Sequence, residues 1–208
     1  MREKWHRMSS QFPMVASPLP SHGPRHRPRR RLVPVRRPAV IAAMTAVTIA
    51  WVALVVTATR LHPSDTVHRL ALFAHLAALV VGFGAVLTVD WFGLLWLLRR
   101  RPLAAVLAVA HGAHPLIWLG LLGLSASGAL LSPNVTAPLT DLKLAAVLAV
   151  GINGVHVGRL QRTMESYVDS RRPPRPVMLG SVLAVLVSQG AWWTATTIGF
   201  LNVSHHAF

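Results

Sequence analysis

The chain has 208 residues, of which 53% are hydrophobic and 13% charged, and this balance excludes an ordinary water-soluble domain. Lys and Arg number 21 against 6 Asp and Glu, but they lie between apolar runs or before the first one. That distribution is typical of membrane topology, so no nucleic-acid partner is expected. The absence of cysteine excludes disulfides, thiolate nucleophiles and iron–sulfur clusters. Metal binding would therefore depend on His, Met and carboxylate side chains.

Residues 1–38 are rich in Pro, Arg and Ser and offer no periodic apolar face. We interpret them as a disordered, basic cytoplasmic tail that contacts anionic lipid headgroups. A DNA-binding arm is the alternative, but a polybasic segment beside a first membrane span more often contacts lipid.

Five apolar runs follow the tail, and each is near or above the roughly 20 residues needed to cross a ~30 Å hydrocarbon core. They predict an all-α, polytopic transmembrane helix bundle over residues 39–201, followed by a short external tail at 202–208. The predicted spans are 39–59, 70–98, 103–131, 142–160 and 177–201.

The connections between the runs differ in charge. Arg99, Arg100 and Arg101 follow the second run. A second group lies at or after the end of the fourth run and comprises Arg159, Arg162, Arg171, Arg172 and Arg175. The alternate connections carry two arginines and none. The positive-inside rule then places the N-terminus in the cytoplasm and Phe208 outside, in a multi-pass protein of the bacterial inner (plasma) membrane.

Ionisable side chains within the spans are few, and each is costly in hydrocarbon. From the helical rise, His75 and Asp90 lie near opposite ends of the second span. The same estimate places Asp90 at one depth with three histidines of the third and fourth spans. The full set is His75, Asp90, His111, His114, Lys143 and His156.

Three interpretations of these groups remain open. A haem b could take axial imidazoles from two facing helices, for instance His111 or His114 with His156. Asp90 could instead form a proton or metal-ion relay with neighbouring imidazoles. Alternatively, each group only holds helices together, and Lys143 pairs with Asp141 at the outer interface or extends toward water.

Small residues are placed for close helix contact. Gly82 shares a stripe of the second span with His75, Val86 and Gly93, so this face is predicted to point into the bundle. Gly154 and Gly158 form a GxxxG pair on the fourth span, a pattern typical of helix packing in membranes.

Several segments resemble the CopD-like family of bacterial membrane proteins, which includes copper-resistance permeases and uncharacterised actinobacterial members. They are HLAALVVGFG at His75–Gly84, DWFGLLW at Asp90–Trp96, LGLLGLSASG at Leu119–Gly128 and LKLAAVLAVGIN at Leu142–Asn153. The resemblance covers approximately residues 68–201. It implies a four-helix core with the first span packed outside it, and a role in copper handling.

The same four-helix pattern is similar to small haem-binding membrane proteins of the protoporphyrinogen-oxidase type. In those proteins a helical His and a helical Lys are functionally important, and the resemblance matches them to His75 and Lys143 of this chain.

The candidate ligands and functions follow from both resemblances and from the in-membrane groups. For haem b the candidates are His75, His111, His114 and His156, and for a metal such as copper they are His75, Asp90, His111 and His156. No catalytic triad order, phosphate-binding glycine loop or HExxH motif is present in the sequence. The alternatives are a b-type cytochrome-like oxidoreductase and a structural or assembly subunit, with a second copy of the chain or a membrane complex as the protein partner.

Overall fold

The computed structural model describes residues 37–168 and 173–205, and the regular structure in these ranges is helical. Each of the five helices contains a window long and apolar enough to cross a membrane, which confirms the prediction of a polytopic all-α chain. The helices are α1 (Arg37–Ala58), α2 (Asp65–Leu97), α3 (Leu103–Ala129), α4 (Pro138–Glu165) and α5 (Arg175–His205).

The helices and the predicted spans differ at their ends because apolar patterning marks only the segment that suits hydrocarbon. α4 and α5 extend past their spans at both ends, whereas α3 ends at Ala129, before its predicted end at residue 131. α2 begins at Asp65. The positive end of the helix dipole stabilises the negative charge of this side chain in the first turn. α4 has Pro138 in its first turn, where a missing amide donor costs little. α5 continues to His205, inside the predicted external tail of residues 202–208. The last three residues of that tail and residues 1–36 lie outside the described residues.

α2 and α3 form an antiparallel pair whose backbones touch. A Cβ atom at Gly120 would lie 2.6 Å from the Gly82 backbone nitrogen and 2.9 Å from the Ala78 carbonyl oxygen. A Cβ at Gly123 would lie 2.8 Å from the Ala78 Cβ. Since lipid tails are as apolar as the side chains, membrane helices associate through such close van der Waals contact between small residues. The prediction that the Gly82 face points into the bundle is confirmed.

α4 and α5 form a second antiparallel pair, tied by the Asn153 side-chain amide, which donates to the Ala184 carbonyl oxygen at 2.8 Å. The Trp192 ring of α5 stacks on Phe83 of α2, with ring centroids 5.4 Å apart. This contact joins the two pairs around a shared core. The buried core residues are Phe83, Val86, Leu121, Leu124, Val150 and Trp192.

α1 packs outside the four other helices, against α3 and α4. A Cβ built at Gly151 of α4 would lie 3.1 Å from the Val47 side chain of α1. Because glycine has no Cβ, α1 can pack close to α4 at this position.

One end of the bundle carries the basic residues. α2 ends where Arg99 adopts a left-handed backbone, with φ of 58°, and the Arg100 amide donates to the Leu95 carbonyl oxygen at 2.8 Å. Leu103 and Met164 belong to one buried cluster, so the α2–α3 connection and the C-terminus of α4 lie at the same end. We call this the arginine end; its described arginines are Arg99, Arg100, Arg101, Arg162 and Arg175.

Replacing Gly120 by alanine tests the close contact of α2 and α3. The added Cβ would meet backbone atoms of Gly82 and Ala78. Because backbone has to shift, we expect Gly120→Ala to lower the free energy of unfolding by about 1–3 kcal/mol. The matched control is Gly84→Ala on α2, where a Cβ meets no atom within 4 Å. Thermal unfolding in detergent measures both, and equal stability of the two variants would contradict the contact.

Candidate functional site

The first place where polar side chains meet within the spans is near the end of the bundle opposite the arginine end. The Nδ1 atom of His75 on α2 lies 3.0 Å from the Ser127 Oγ atom on α3. The Ser127 hydroxyl donates to the Gly123 carbonyl oxygen at 2.5 Å, so its oxygen accepts the hydrogen of His75 Nδ1. Nε2 is then the ring atom that carries a lone pair. The imidazole also hydrogen-bonds to the Leu124 carbonyl oxygen, which lies 3.4 Å from the same Ser127 Oγ atom.

Lys143 of α4 brings a cation to the same place. It lies close enough to the His75 imidazole for the two groups to interact electrostatically. Its Nζ atom would be 3.8 Å from a Cβ at Gly199, so the lysine extends toward α5. The one ion pair among residues 37–168 and 173–205 joins His111 and Glu165, and Lys143 therefore does not form the predicted ion pair with Asp141.

Small residues and an unused hydroxyl complete this cluster. A Cβ at Gly128 would lie 3.4 Å from the His75 Cε1 atom. Thr196 lies on the stripe of α5 that includes Gly199 and the buried Trp192. Its hydroxyl oxygen is buried with no hydrogen-bond partner in the part of the chain that is described. We call His75, Ser127, Lys143 and Thr196 the His75 cluster.

The second place lies toward the arginine end and is built around Asp90. The Gln189 side-chain amide of α5 donates to Asp90 Oδ2 at 2.5 Å. The Trp193 indole, which can only donate, gives its hydrogen to Gln189 Oε1 at 3.0 Å. Because Gln189 Oε1 accepts this hydrogen, the amide nitrogen is the atom that faces Asp90. The carboxyl group keeps Oδ1, which has no hydrogen-bond partner among the described side chains.

His114 of α3 lies at the same level as Asp90. Gly82 is opposite Gly120, so moving eight residues along each antiparallel helix places Asp90 opposite Gly112, about half a turn from His114. The Trp118 indole donates to His114 Nε2 at 3.1 Å. In a neutral imidazole, Nδ1 then carries the hydrogen and is the free donor.

Between these groups is a partly open cavity of about 390 Å³ lined by α2, α3, α4 and α5. Its wall is mostly aliphatic and aromatic, and Asp90 and His114 are its ionisable lining residues. We call it the Asp90 cavity. It extends from Trp192 in the middle of the bundle to Leu97 and Leu103 at the arginine end.

The remaining predicted ligands lie elsewhere. His111 is on the surface, where its Nδ1 atom is 3.0 Å from Gln161 Nε2 and 3.5 Å from Glu165 Oε1. His156 is exposed on α4, two residues from both Gly154 and Gly158, which face α3. His156 is predicted to lie at the same depth as His114, but its side chain is on a different face of α4 from the one that contacts α3. Among the described residues, no three His, Asp or Glu side chains are grouped closely enough to hold a metal ion.

Comparison with known proteins gives no significant match, whether with protein-family models, curated proteins or solved structures. The chemistry of the two places therefore has to be argued from their own side chains. Sequence reasoning found His75, Asp90, His114 and Lys143, but it missed their uncharged partners. These partners are Ser127, Gln189, Trp118 and Trp193.

A double-mutant cycle measures the contact between α2 and α5. In Gln189→Leu, Asp90 loses its hydrogen-bond donor, and we expect the free energy of unfolding to fall by about 1–3 kcal/mol. In Asp90→Leu/Gln189→Leu the carboxyl group and its amide donor are both absent, and only the exposed Trp193 indole loses its acceptor, so stability is expected to recover in part. Chemical denaturation in mixed micelles gives the coupling energy. Additive single effects would show that the hydrogen bond contributes nothing.

Proposed function

We propose that this multi-pass membrane protein binds haem b at the His75 cluster, with His75 as an iron ligand. The observation that supports this best is the orientation of the ring. Ser127 holds Nδ1 and leaves the Nε2 lone pair available. A metal-binding histidine is usually fixed in this way by a hydrogen bond from its other ring nitrogen. Haem iron commonly takes such an imidazole as its axial ligand.

The other members of the cluster suit haem better than a bare metal ion. Lys143 is a cation beside His75, and it complements the anionic propionates of haem but repels Cu⁺ or Cu²⁺. Gly128 and Gly199 let the helix backbones approach the imidazole and the ammonium group closely. The Thr196 hydroxyl is a further unused polar group, about one helical turn from Gly199 on α5. Copper handling, which the CopD-like resemblance implies, is therefore the second ligand to test at His75.

The resemblance to small haem-binding membrane proteins points to the same two residues. It matches a helical His and a helical Lys to His75 and Lys143, which lie on α2 and α4 and are far apart in sequence. Their nearness in the bundle supports a shared role. In this proposal Ser127 orients the imidazole and Lys143 holds a carboxylate of the ligand. Bound haem would supply a one-electron iron centre.

An absorption spectrum tests the haem site. We expect detergent-purified protein, expressed with ample haem, to show a Soret band and sharp α and β bands after dithionite reduction. His75→Ala should lose these bands because the iron loses its ligand. His156→Ala is the matched control, since His156 is an exposed histidine outside the cluster.

Two outcomes would contradict the proposal. One is a flat spectrum at high purity with haem available, after which copper analysis of the same sample tests the second ligand. The other is a spectrum that His75→Ala leaves unchanged. Lys143→Met is expected to retain less haem than wild type, because the charge that pairs with a propionate is removed.

We further propose that the arginine end faces the cytoplasm of a bacterial inner membrane. Its described arginines outnumber the basic residues at the opposite end, and anionic headgroups would attract them. The chain has no native cysteine, so each introduced thiol is unique. A membrane-impermeant maleimide added to intact spheroplasts should label Ser132→Cys but not Ser166→Cys. Labelling of Ser166→Cys alone would reverse the orientation.

A further inference from the structure

We propose that the Asp90 cavity is a second binding site, for a neutral amphiphile whose apolar body ends in a head with hydroxyl or carbonyl oxygens. Isoprenoid quinones and quinols have this chemistry. The site lies toward the arginine end, whereas the His75 cluster lies near the opposite end of α2. The inference therefore goes beyond haem binding and does not depend on it.

The size and lining of the cavity indicate an occupant. Its volume of about 390 Å³ is within the range of small-molecule sites, roughly 300–1,000 Å³. Three tryptophans contribute flat apolar surface to the wall, which suits a ring. They are Trp96, Trp118 and Trp192.

The polar groups on the wall indicate what the head must offer. Asp90 keeps the oxygen that Gln189 does not use, and His114 keeps the Nδ1 hydrogen because Trp118 occupies Nε2. A head that both donates and accepts hydrogen bonds matches these two groups. A plain acyl chain would leave both of them unpaired in an apolar wall, at the cost that buried polar groups carry.

The charges near the cavity favour a neutral head over an ion. Asp90 disfavours a deep carboxylate or phosphate. Arg162 lies close enough to His114 to interact with it electrostatically, and this disfavours a cationic head. A neutral head that forms hydrogen bonds is repelled neither by Asp90 nor by Arg162.

Decylubiquinone is the probe that we would use, with the full chain in detergent. Bound near the wall tryptophans, it should quench their fluorescence with a saturable concentration dependence. Asp90→Leu should weaken binding about tenfold or more, since one hydrogen bond to a charged group is lost. Asp90→Asn keeps an oxygen acceptor and should lose less than Asp90→Leu.

A pair of glycine variants separates cavity binding from partition into the micelle. Gly93 lines the cavity, and a Cβ built there meets nothing within 4 Å, so the larger side chain of Gly93→Leu has space at its base and is expected to occupy part of the cavity. Gly84→Leu is the matched control on the same helix, since Gly84 is exposed and also open. We expect Gly93→Leu to abolish the saturable quenching and Gly84→Leu to leave it intact.

Three results would overturn the proposal. Quenching that does not saturate, or that Gly93→Leu leaves unchanged, would mean that the probe does not enter the cavity. In the third result, Gly93→Leu abolishes binding but Asp90→Leu binds as tightly as wild type. The cavity would then bind the apolar body of the probe without forming hydrogen bonds to its head. Elution and thermal unfolding like those of wild type show that each variant is folded.

Discussion

The contact between Gly82 and Gly120 fixes the geometry on which both candidate sites depend. In a bilayer the hydrophobic effect does not press helices together, so α2 and α3 are held by how closely their backbones approach. That approach also sets the register of the pair. With Gly82 opposite Gly120, His75 comes opposite Ser127, and Asp90 comes to the level of His114. A shift of one turn would separate His75 from Ser127 and move Asp90 away from the level of His114.

The same contact keeps the two sites apart. His75 and Asp90 are 15 residues apart on α2, or about 22 Å at the helical rise. Between them lies the tightest part of the bundle, where Phe83 stacks on Trp192 and the glycine contact excludes other side chains. Toward the arginine end the helices separate enough to leave the partly open Asp90 cavity. The closely packed middle of the bundle therefore lies between the two sites.

The sequence predicted some features and missed others for identifiable reasons. Hydropathy located five spans, and helical periodicity assigned Gly82 to an inward face, because both depend on one helix at a time. Depth was also calculable, but the direction in which a side chain points around its helix is set by neighbouring helices. His156 is at a plausible depth for a ligand and nevertheless faces outward. Ser127 and Gln189 were missed because a search for ionisable residues passes over neutral ones.

The way these ionisable groups are paired argues that they do more than hold helices together. His75, Asp90 and His114 are hydrogen-bonded to neutral groups, and none of them forms an ion pair in the described part of the chain. One neutral partner orients a group but leaves another atom of it unused. A purely structural role would be served as well by Asn or Gln, which carry no cost of ionisation. Keeping ionisable groups oriented and incompletely paired in the membrane is what a binding site requires, because the ligand then supplies the remaining contact.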